Sequence, residues 1–182
     1  EFLSWTLYYT SLFDFTRTPQ LEIADPMGIV YSQAVESRSG AVRITLNGSM
    51  AANALSTRFV HNYFGAGVQH IAFATPDIFA AAEKARDAGL PILAIGPNYY
   101  EDIEARFGLD PALVKRMAEL NILYDREGQE AGGAEYFQFY SRAVAKRVFF
   151  EVVERRGYDA YGATNAAIRL SAQSRHRDPA GV

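Results

Sequence analysis

Cysteine is absent from the 182 residues, which excludes disulfides, thiolate zinc sites and a cysteine nucleophile together. A metal held by this chain must use histidine, carboxylate or other oxygen ligands, and histidine is itself scarce, with three copies. No apolar run reaches the roughly 18 to 20 residues that span a bilayer, and no signal peptide opens the chain. A membrane partner is therefore not expected, and a cytoplasmic location is the default. Positive charge is in no surplus: 18 Lys and Arg face 21 Asp and Glu, a formal net charge of -3. The basic residues are scattered except near Arg155, Arg156 and the tail, which leaves no footprint for a nucleic-acid backbone. Gly65-Ala66-Gly67 precedes a strand-like stretch rather than a helix, so it lacks the form of a phosphate cradle. Ser171, Ser174 and His176 cluster without a glycine-framed elbow or a partner acid and do not read as a nucleophile set.

What is present suits a folded chain. Hydrophobic residues make up 49% and charged residues 21%, a balance unlike that of a disordered segment. The length fits one domain, or two small βαβββ-type modules sharing a core. Phe2, Trp5, Tyr9 and Leu12 recur at helical spacing and predict an opening helix laid against a sheet. Strand-like stretches follow over Thr16 to Ala24, Ile29 to Ser37 and Val42 to Asn47, separated by turn residues at 25–28 and 37–40. After a polar stretch over 48–61, Gly67 to Thr75 reads as a buried strand. Thr75-Pro76 then marks a cap with proline at the first helical position, opening a helix over Asp77 to Ala88 that closes at Gly89. Leu90 to Ile95 reads as a short strand, and Asn98 and Asp110 as caps of two helices ending near Gly108 and Asn121. Ile122 to Glu127, Glu135 to Ser141 and Val148 to Arg155 complete a second meander, with a Gly-rich turn over 128–134.

The second half thus reads as a full βαβββ module, and the first as helix and three strands lacking only an opening strand. The expected class is α+β, with paired modules whose curved mixed sheet surrounds a metal site, rather than a doubly wound parallel sheet. The expected layout is one domain over 1–173, with 1–50 the incomplete first module, 65–157 the second and 158–173 a closing helix, and a polar tail over 174–182 that is loosely held. The uncapped start at Glu1 suggests that the natural polypeptide extends upstream.

Two residues carry the chemistry. Alternation places Glu151 on one strand face with Phe149 and Val153, and a carboxylate among apolar side chains needs compensation, which a metal supplies; otherwise it meets water or an arginine at an edge. His70 shares a face with Val68 and Ala72 and is either a hydrogen-bonded core histidine or a ligand. The strands bearing them open and nearly close the second module, so folding could join them. Imidazole plus carboxylate with open positions belongs to the two-histidine, one-carboxylate set suited to ferrous iron. His61 and His176 both read as solvated, so a further ligand would lie before Glu1 or on another chain. Gln138, which shares its face with Tyr136 and Tyr140, and Asn47 at the end of its strand are candidate substrate contacts. Gln69 points away from His70 unless the strand bulges. Asp125 and Glu127 flank a turn and are expected to be exposed.

These segments resemble a known family. Gly65-Ala66-Gly67-Val68-Gln69-His70-Ile71-Ala72, Tyr99-Tyr100, Ile122-Leu123-Tyr124-Asp125-Arg126, Tyr136-Phe137-Gln138 and Phe149-Phe150-Glu151-Val152-Val153-Glu154-Arg155-Arg156-Gly157-Tyr158 are similar in order and spacing to the carboxy-terminal half of 4-hydroxyphenylpyruvate dioxygenases, members of the vicinal-oxygen-chelate superfamily. The resemblance implies that His70 and Glu151 are metal ligands, with Gln138, Asn47 and Gln69 at substrate-pocket positions. It also implies that the family's first metal histidine lies on a strand before the opening helix, which this chain does not contain. The implied cofactor is Fe2+, or another divalent ion such as Mg2+, Mn2+ or Co2+. Asn47-Gly48-Ser49, Leu55-Ser56-Thr57-Arg58, Ala166 and Leu170 depart from the family's pocket pattern, so metal binding is better supported than turnover of hydroxyphenylpyruvate.

A fuller match, through Phe107 to Leu113 and Ala167 to Gln173, is to bacterial fusion proteins in which a barrel with 3-dehydroshikimate dehydratase activity precedes a dioxygenase-like domain. Two expectations follow. The first is a non-haem iron(II) dioxygenase acting on a small 2-oxo acid. The second is an accessory domain of a metal-dependent dehydratase of aromatic catabolism, carried with an upstream domain on one polypeptide. A homo-oligomer is expected in either case.

Overall fold

Two units divide the chain after Gly67, and the computed structural model describes residues 2–128, 133–144, 148–160 and 162–175 of it. The tail with His176, and most of the Gly-rich turn expected over 128–134, lie outside the described residues. No described helix is long and apolar enough to cross a membrane.

The first unit opens with α1 (Phe2–Leu12), which packs on a small antiparallel sheet. The helix is where the sequence places it, but the face it buries is different. Thr6 goes under, its hydroxyl 3.2 Å from the Phe2 carbonyl oxygen and 3.4 Å from Gln33 Oε1. Trp5 and Leu12 point outward, 39% and 68% exposed. Trp5, Tyr8 and Tyr9 instead join Phe13 in an aromatic cluster at the helix end, and Phe15 stacks on Tyr9. The sheet consists of β1 (Thr16–Arg17), β2 (Leu21–Asp25), β3 (Gly28–Glu36) and β4 (Arg43–Gly48). β1 and β2 pair with the same edge of β3, and β4 with the other. The single strand expected over 16–24 is broken because Pro19 has no N–H for the ladder. Thr18 bridges the gap: its N–H donates to the Ala34 carbonyl at 2.9 Å and its hydroxyl accepts from the Ala34 N–H at 3.0 Å.

α2 (Leu55–Tyr63) follows in the stretch expected to be merely polar. Its own N-cap, Ala54, has no side-chain acceptor, and the Leu55 N–H is satisfied by Asp25 Oδ2 at 3.2 Å. Asp25 Oδ1 meanwhile accepts from the Met27 N–H at 2.8 Å. One turn carboxylate therefore closes the β2–β3 hairpin and caps a helix 30 residues away.

The second unit is a βαβββ module with two inserted helices. β5 (His70–Ala74), β6 (Leu123–Glu127), β7 (Ala134–Tyr140) and β8 (Phe149–Arg156) form a sheet in the order β5-β8-β7-β6. β5 runs parallel to β8, and the other pairs are antiparallel. α3 (Ile78–Asp87), α4 (Pro97–Phe107) and α5 (Pro111–Leu120) lie between β5 and β6. Ile78, Phe79, Ile103, Val114 and Met117 join Tyr124, Phe137 and Phe139 in the main core. A 3-10 turn (Ala163–Asn165) leads into α6 (Ala166–Arg175).

The starts of these helices differ in detail from expectation. Asp77, not Thr75, caps α3, accepting from the Phe79 and Ala80 N–H groups at 3.0 Å each. Gly96 precedes α4 with Pro97 at its first position, so Asn98 lies inside the helix; Asp110 does cap α5. The segment 90–95 makes an isolated bridge, Ile92 to Ser141, rather than a strand: the Leu93 N–H donates to the Tyr140 carbonyl at 2.8 Å, but the Ile95 N–H turns to the Asn121 side chain at 3.0 Å instead of continuing the ladder.

Side chains also complete the free edge of β6. The Tyr124 N–H donates to the Tyr99 phenol oxygen at 2.8 Å, and the Tyr124 carbonyl accepts from Asn165 Nδ2 at 3.1 Å. Asp125, expected to be exposed, is 5% exposed and accepts from the Tyr158 hydroxyl at 2.7 Å.

Candidate metal centre

His70 opens β5, and Glu151 lies in β8, the strand that β5 pairs with in parallel. The register sets His70 against Phe149 and Ala72 against Glu151, so both side chains stand on one face of the sheet. Their rings and carboxyl meet there. His70 stacks on Phe149 with ring centroids 4.8 Å apart, and His70 Nε2 comes within 3.5 Å of Glu151 Oε2. The 81 positions that separate them in sequence are thus closed by the βαβββ topology alone.

The electrostatics are those of a neutral imidazole beside a strained carboxyl. A histidine next to a glutamate would ordinarily be held protonated by it. Here burial and then the nearby positive charge of Arg169 outweigh the carboxylate and pull the His70 pKa down to about 3. The contact is therefore no ion pair near neutral pH, and the imidazole keeps a lone pair free for a metal. Burial pushes the Glu151 carboxyl upward, against hydrogen bonds from Tyr140 and Tyr136 and the charges of Arg169 and Arg155, which favour its ionised form. The Tyr136 hydroxyl donates to Glu151 Oε1 at 3.3 Å. Glu151 is 6% exposed, and His70 is the only cationic residue type within ion-pair distance of it among the described residues.

This donor set fits a divalent cation. Two ligands about 2.1 Å from one ion lie roughly 3.0 to 3.5 Å apart at right-angled to tetrahedral geometry, which brackets the observed separation. The ligand chemistry is nitrogen plus carboxylate oxygen, as cysteine-free chains require. Two candidate ligands come together, and no group of three or more His, Asp or Glu converges among the described residues. His61 lies exposed on α2 in the first unit.

Other residues surround the pair. Gln138, in β7, is wholly buried; its Oε1 accepts from the Tyr140 hydroxyl at 3.0 Å while its Nε2 has no hydrogen-bond partner. Gly162 lies against it: a Cβ there would stand 2.3 Å from the Tyr136 ring and 3.2 Å from Gln138 Oε1. Arg169 reaches in from α6, 8% exposed, its guanidinium carbon 5.3 Å from the Phe149 ring centroid and 5.6 Å from that of Tyr140. Gln69 sits just before β5, half-buried, with its carbonyl accepting from the Phe149 N–H at 3.1 Å; the regular ladder turns its side chain to the opposite face from His70. Asn47, in β4, is half-buried opposite Ser32 within the first unit. Sequence reasoning gave Arg169 no role. Its signal was an arginine at helical spacing from Ala166 and Ala172, on the apolar side of α6.

Comparisons with known proteins bear on this geometry. The sequence model of the glyoxalase/bleomycin resistance protein/dioxygenase superfamily matches residues 4–115. The 3-dehydroshikimate dehydratase of Pseudomonas aeruginosa is 44% identical over 175 residues, covering 96% of this chain and 27% of that protein. The 4-hydroxyphenylpyruvate dioxygenase of the same organism is 29% identical over 161 residues, covering 88% of this chain and 44% of that one. Among solved structures, a xylose isomerase-like TIM barrel/4-hydroxyphenylpyruvate dioxygenase fusion protein superposes with a TM-score of 0.78 at 41% identity, over 96% of this chain and 27% of the other. The chain thus spans about a quarter of the dehydratase and less than half of the dioxygenase.

Proposed function

This chain belongs to the glyoxalase/bleomycin resistance protein/dioxygenase superfamily, and from that premise we propose that it is a divalent-metal domain that chelates the adjacent oxygens of a small 2-oxo acid. The observation that carries the reading is the approach of His70 Nε2 to Glu151 Oε2, 3.5 Å, on a buried face where the carboxylate has no cationic side chain paired with it.

In this reading His70 and Glu151 hold the ion, Fe2+ or another divalent cation, and a further ligand comes from outside the described residues. When bound, such an ion supplies Lewis acidity and, if ferrous, chemistry with dioxygen. The chain's own residues do the positioning. Tyr136 and Tyr140 donate toward Glu151 and Gln138 and so fix their rotamers. The unpaired Gln138 Nε2 offers a neutral donor to an oxygen of the ligand, which orients it without competing for the metal. Phe149 and the apolar floor exclude water from one side. Asn47 and Gln69 are proposed to contact substrate by resemblance alone.

Two activities are compatible with such a site. One is oxidative decarboxylation of a 2-oxo acid of the 4-hydroxyphenylpyruvate type. The other places this chain as the dioxygenase-like domain of a longer 3-dehydroshikimate dehydratase polypeptide, with the dehydration carried out by a barrel domain. The second is favoured by the 44% identity to a dehydratase across 96% of the chain, against 29% to a dioxygenase. Iron-loaded protein given 4-hydroxyphenylpyruvate, and separately 3-dehydroshikimate, distinguishes them. Oxygen uptake with the first substrate supports turnover in this domain. Protocatechuate formed from the second without oxygen uptake, and only when the longer polypeptide is present, supports the fusion.

A further inference from the structure

Arg169 is the one charged side chain that α6 buries, and among the described residues no carboxylate pairs directly with it, Glu151 acting on it only at longer range. Its Nη1 donates to Gln173 Oε1 at 2.9 Å, a neutral partner one turn along the same helix. No carboxylate lies within ion-pair distance of it among the described residues, although it is 8% exposed. Burying a guanidinium without a direct ion-pair partner is costly, since its charge loses the hydration it has in water. Stacking over Phe149 and Tyr140 recovers part of that cost.

Position supplies the rest of the argument. The two rings beneath the guanidinium are those that flank the candidate metal ligands: Phe149 stacks on His70, and Tyr140 pairs in register with Glu151. The cation thus stands over the same face of β7 and β8 as the His70–Glu151 pair, close enough for its charge to act on both. A guanidinium offers five donors in a planar fork matched to a carboxylate. Only one of those donors is spent on a hydrogen bond within the described residues.

We infer that Arg169 is an anion subsite of this centre, so that the ligand chelated beside His70 and Glu151 carries a carboxylate held by Arg169. The inference rests on the metal-chelate reading above and deepens it: the preference for a charged 2-oxo acid over its neutral analogues is assigned to Arg169 on α6, not to the metal alone. A merely structural Arg169, serving as a lid over two aromatic rings, would stabilise the helix but would not discriminate by ligand charge.

The test compares pyruvate with pyruvamide, which presents the same pair of adjacent oxygens without the negative charge. The full chain is loaded with Co2+, whose visible spectrum reports its ligands, and calorimetry then measures both affinities in wild type, Arg169→Met and Arg169→Lys. The expected result is a loss of roughly 10- to 100-fold in pyruvate affinity in Arg169→Met, with pyruvamide affinity and Co2+ uptake held. Arg169→Lys keeps the charge but loses the fork, and is expected to fall between. Equal changes for the two ligands, or none for either, would overturn the subsite while leaving the metal centre standing. A wild-type chain that takes up no Co2+ would overturn the centre and the subsite together, and that failure shows before any ligand is added. Should Arg169→Met fail to fold, an unchanged pyruvate-to-pyruvamide ratio in Arg169→Lys would be enough to reject the subsite.

Discussion

Glu151 is costly to the metal-free protein, and in the proposed centre that cost is offset by the ion it would hold. Burial disfavours its charge, and the nearest imidazole is neutral, so the carboxyl is held up by two phenols and distant arginines. Glu151→Gln keeps the shape and removes the charge. In metal-free protein it should therefore raise stability by on the order of 1 kcal/mol, read as a higher midpoint in urea, while abolishing any stabilisation by added Co2+. Destabilisation in both conditions would mean that Glu151 serves chiefly as an acceptor for Tyr136 and Tyr140. Tyr140→Phe should lower stability by about 1 to 2 kcal/mol, because it strands buried Gln138 Oε1 without its donor, with a weaker effect on metal uptake than Glu151→Gln. At this scale the sequence was legible where strand alternation applied: His70, Glu151 and Gln138 fall on one face as their parity requires. It was not legible for Asp125, whose burial depends on a hydroxyl 33 residues away at Tyr158, or for Arg169, since an arginine in a helix carries no chemistry until the sheet beneath it is known.

Elements in this chain are finished by side chains from elsewhere in sequence, and that is where sequence reading ran short. α3 has a local cap in Asp77, yet its Ile78 N–H donates to Glu154 Oε2 at 2.8 Å, from the face of β8 opposite Glu151. Arg156 holds the other oxygen of Glu154 at 2.6 Å. Glu154→Ala leaves that buried N–H unpaired and should cost about 1 to 3 kcal/mol, measured as a fall in the unfolding midpoint without change in the denaturant slope. Gly162→Ala is expected to do more. Its φ of +67° disfavours any side chain, and the added methyl meets the Tyr136 ring at 2.3 Å, so both stability and the hydrogen bond between Tyr136 and Glu151 should suffer. The helices with local signals, α1, α3 and α5, were legible from periodicity, proline and cap residues. α2 was not, because Asp25, its N-terminal partner, belongs to a hairpin in the other half of the unit. The break between β1 and β2 was written in Pro19, but the hydroxyl of Thr18 that makes it tolerable could be seen only once Ala34 lay opposite.

The broad order of elements was legible, an opening helix and strands and then βαβββ with an insertion, but the first unit has β1 and β2 where one strand was expected and adds α2, and the strand expected over 90–95 is only a bridge. That order explains why the centre can exist without any local motif, since β5 and β8 become neighbours only when the second unit closes. The unfolded chain has two ligands separated by 81 residues and should hold a divalent ion far more weakly than the native one. A metal held at the proposed centre would then stabilise the fold by mass action, about 2.7 kcal/mol at a concentration 100-fold above the dissociation constant. For a chain of this size that corresponds to a rise of roughly 5 to 10 °C in the melting midpoint. Beyond saturation, each further tenfold of Co2+ should add about 1.4 kcal/mol, and excess EDTA should return the midpoint to its metal-free value. His70→Ala removes the nitrogen ligand and should flatten the whole dependence while changing the metal-free midpoint far less. A midpoint that rises with Co2+ equally in wild type and His70→Ala would place the responsible ion somewhere other than between β5 and β8.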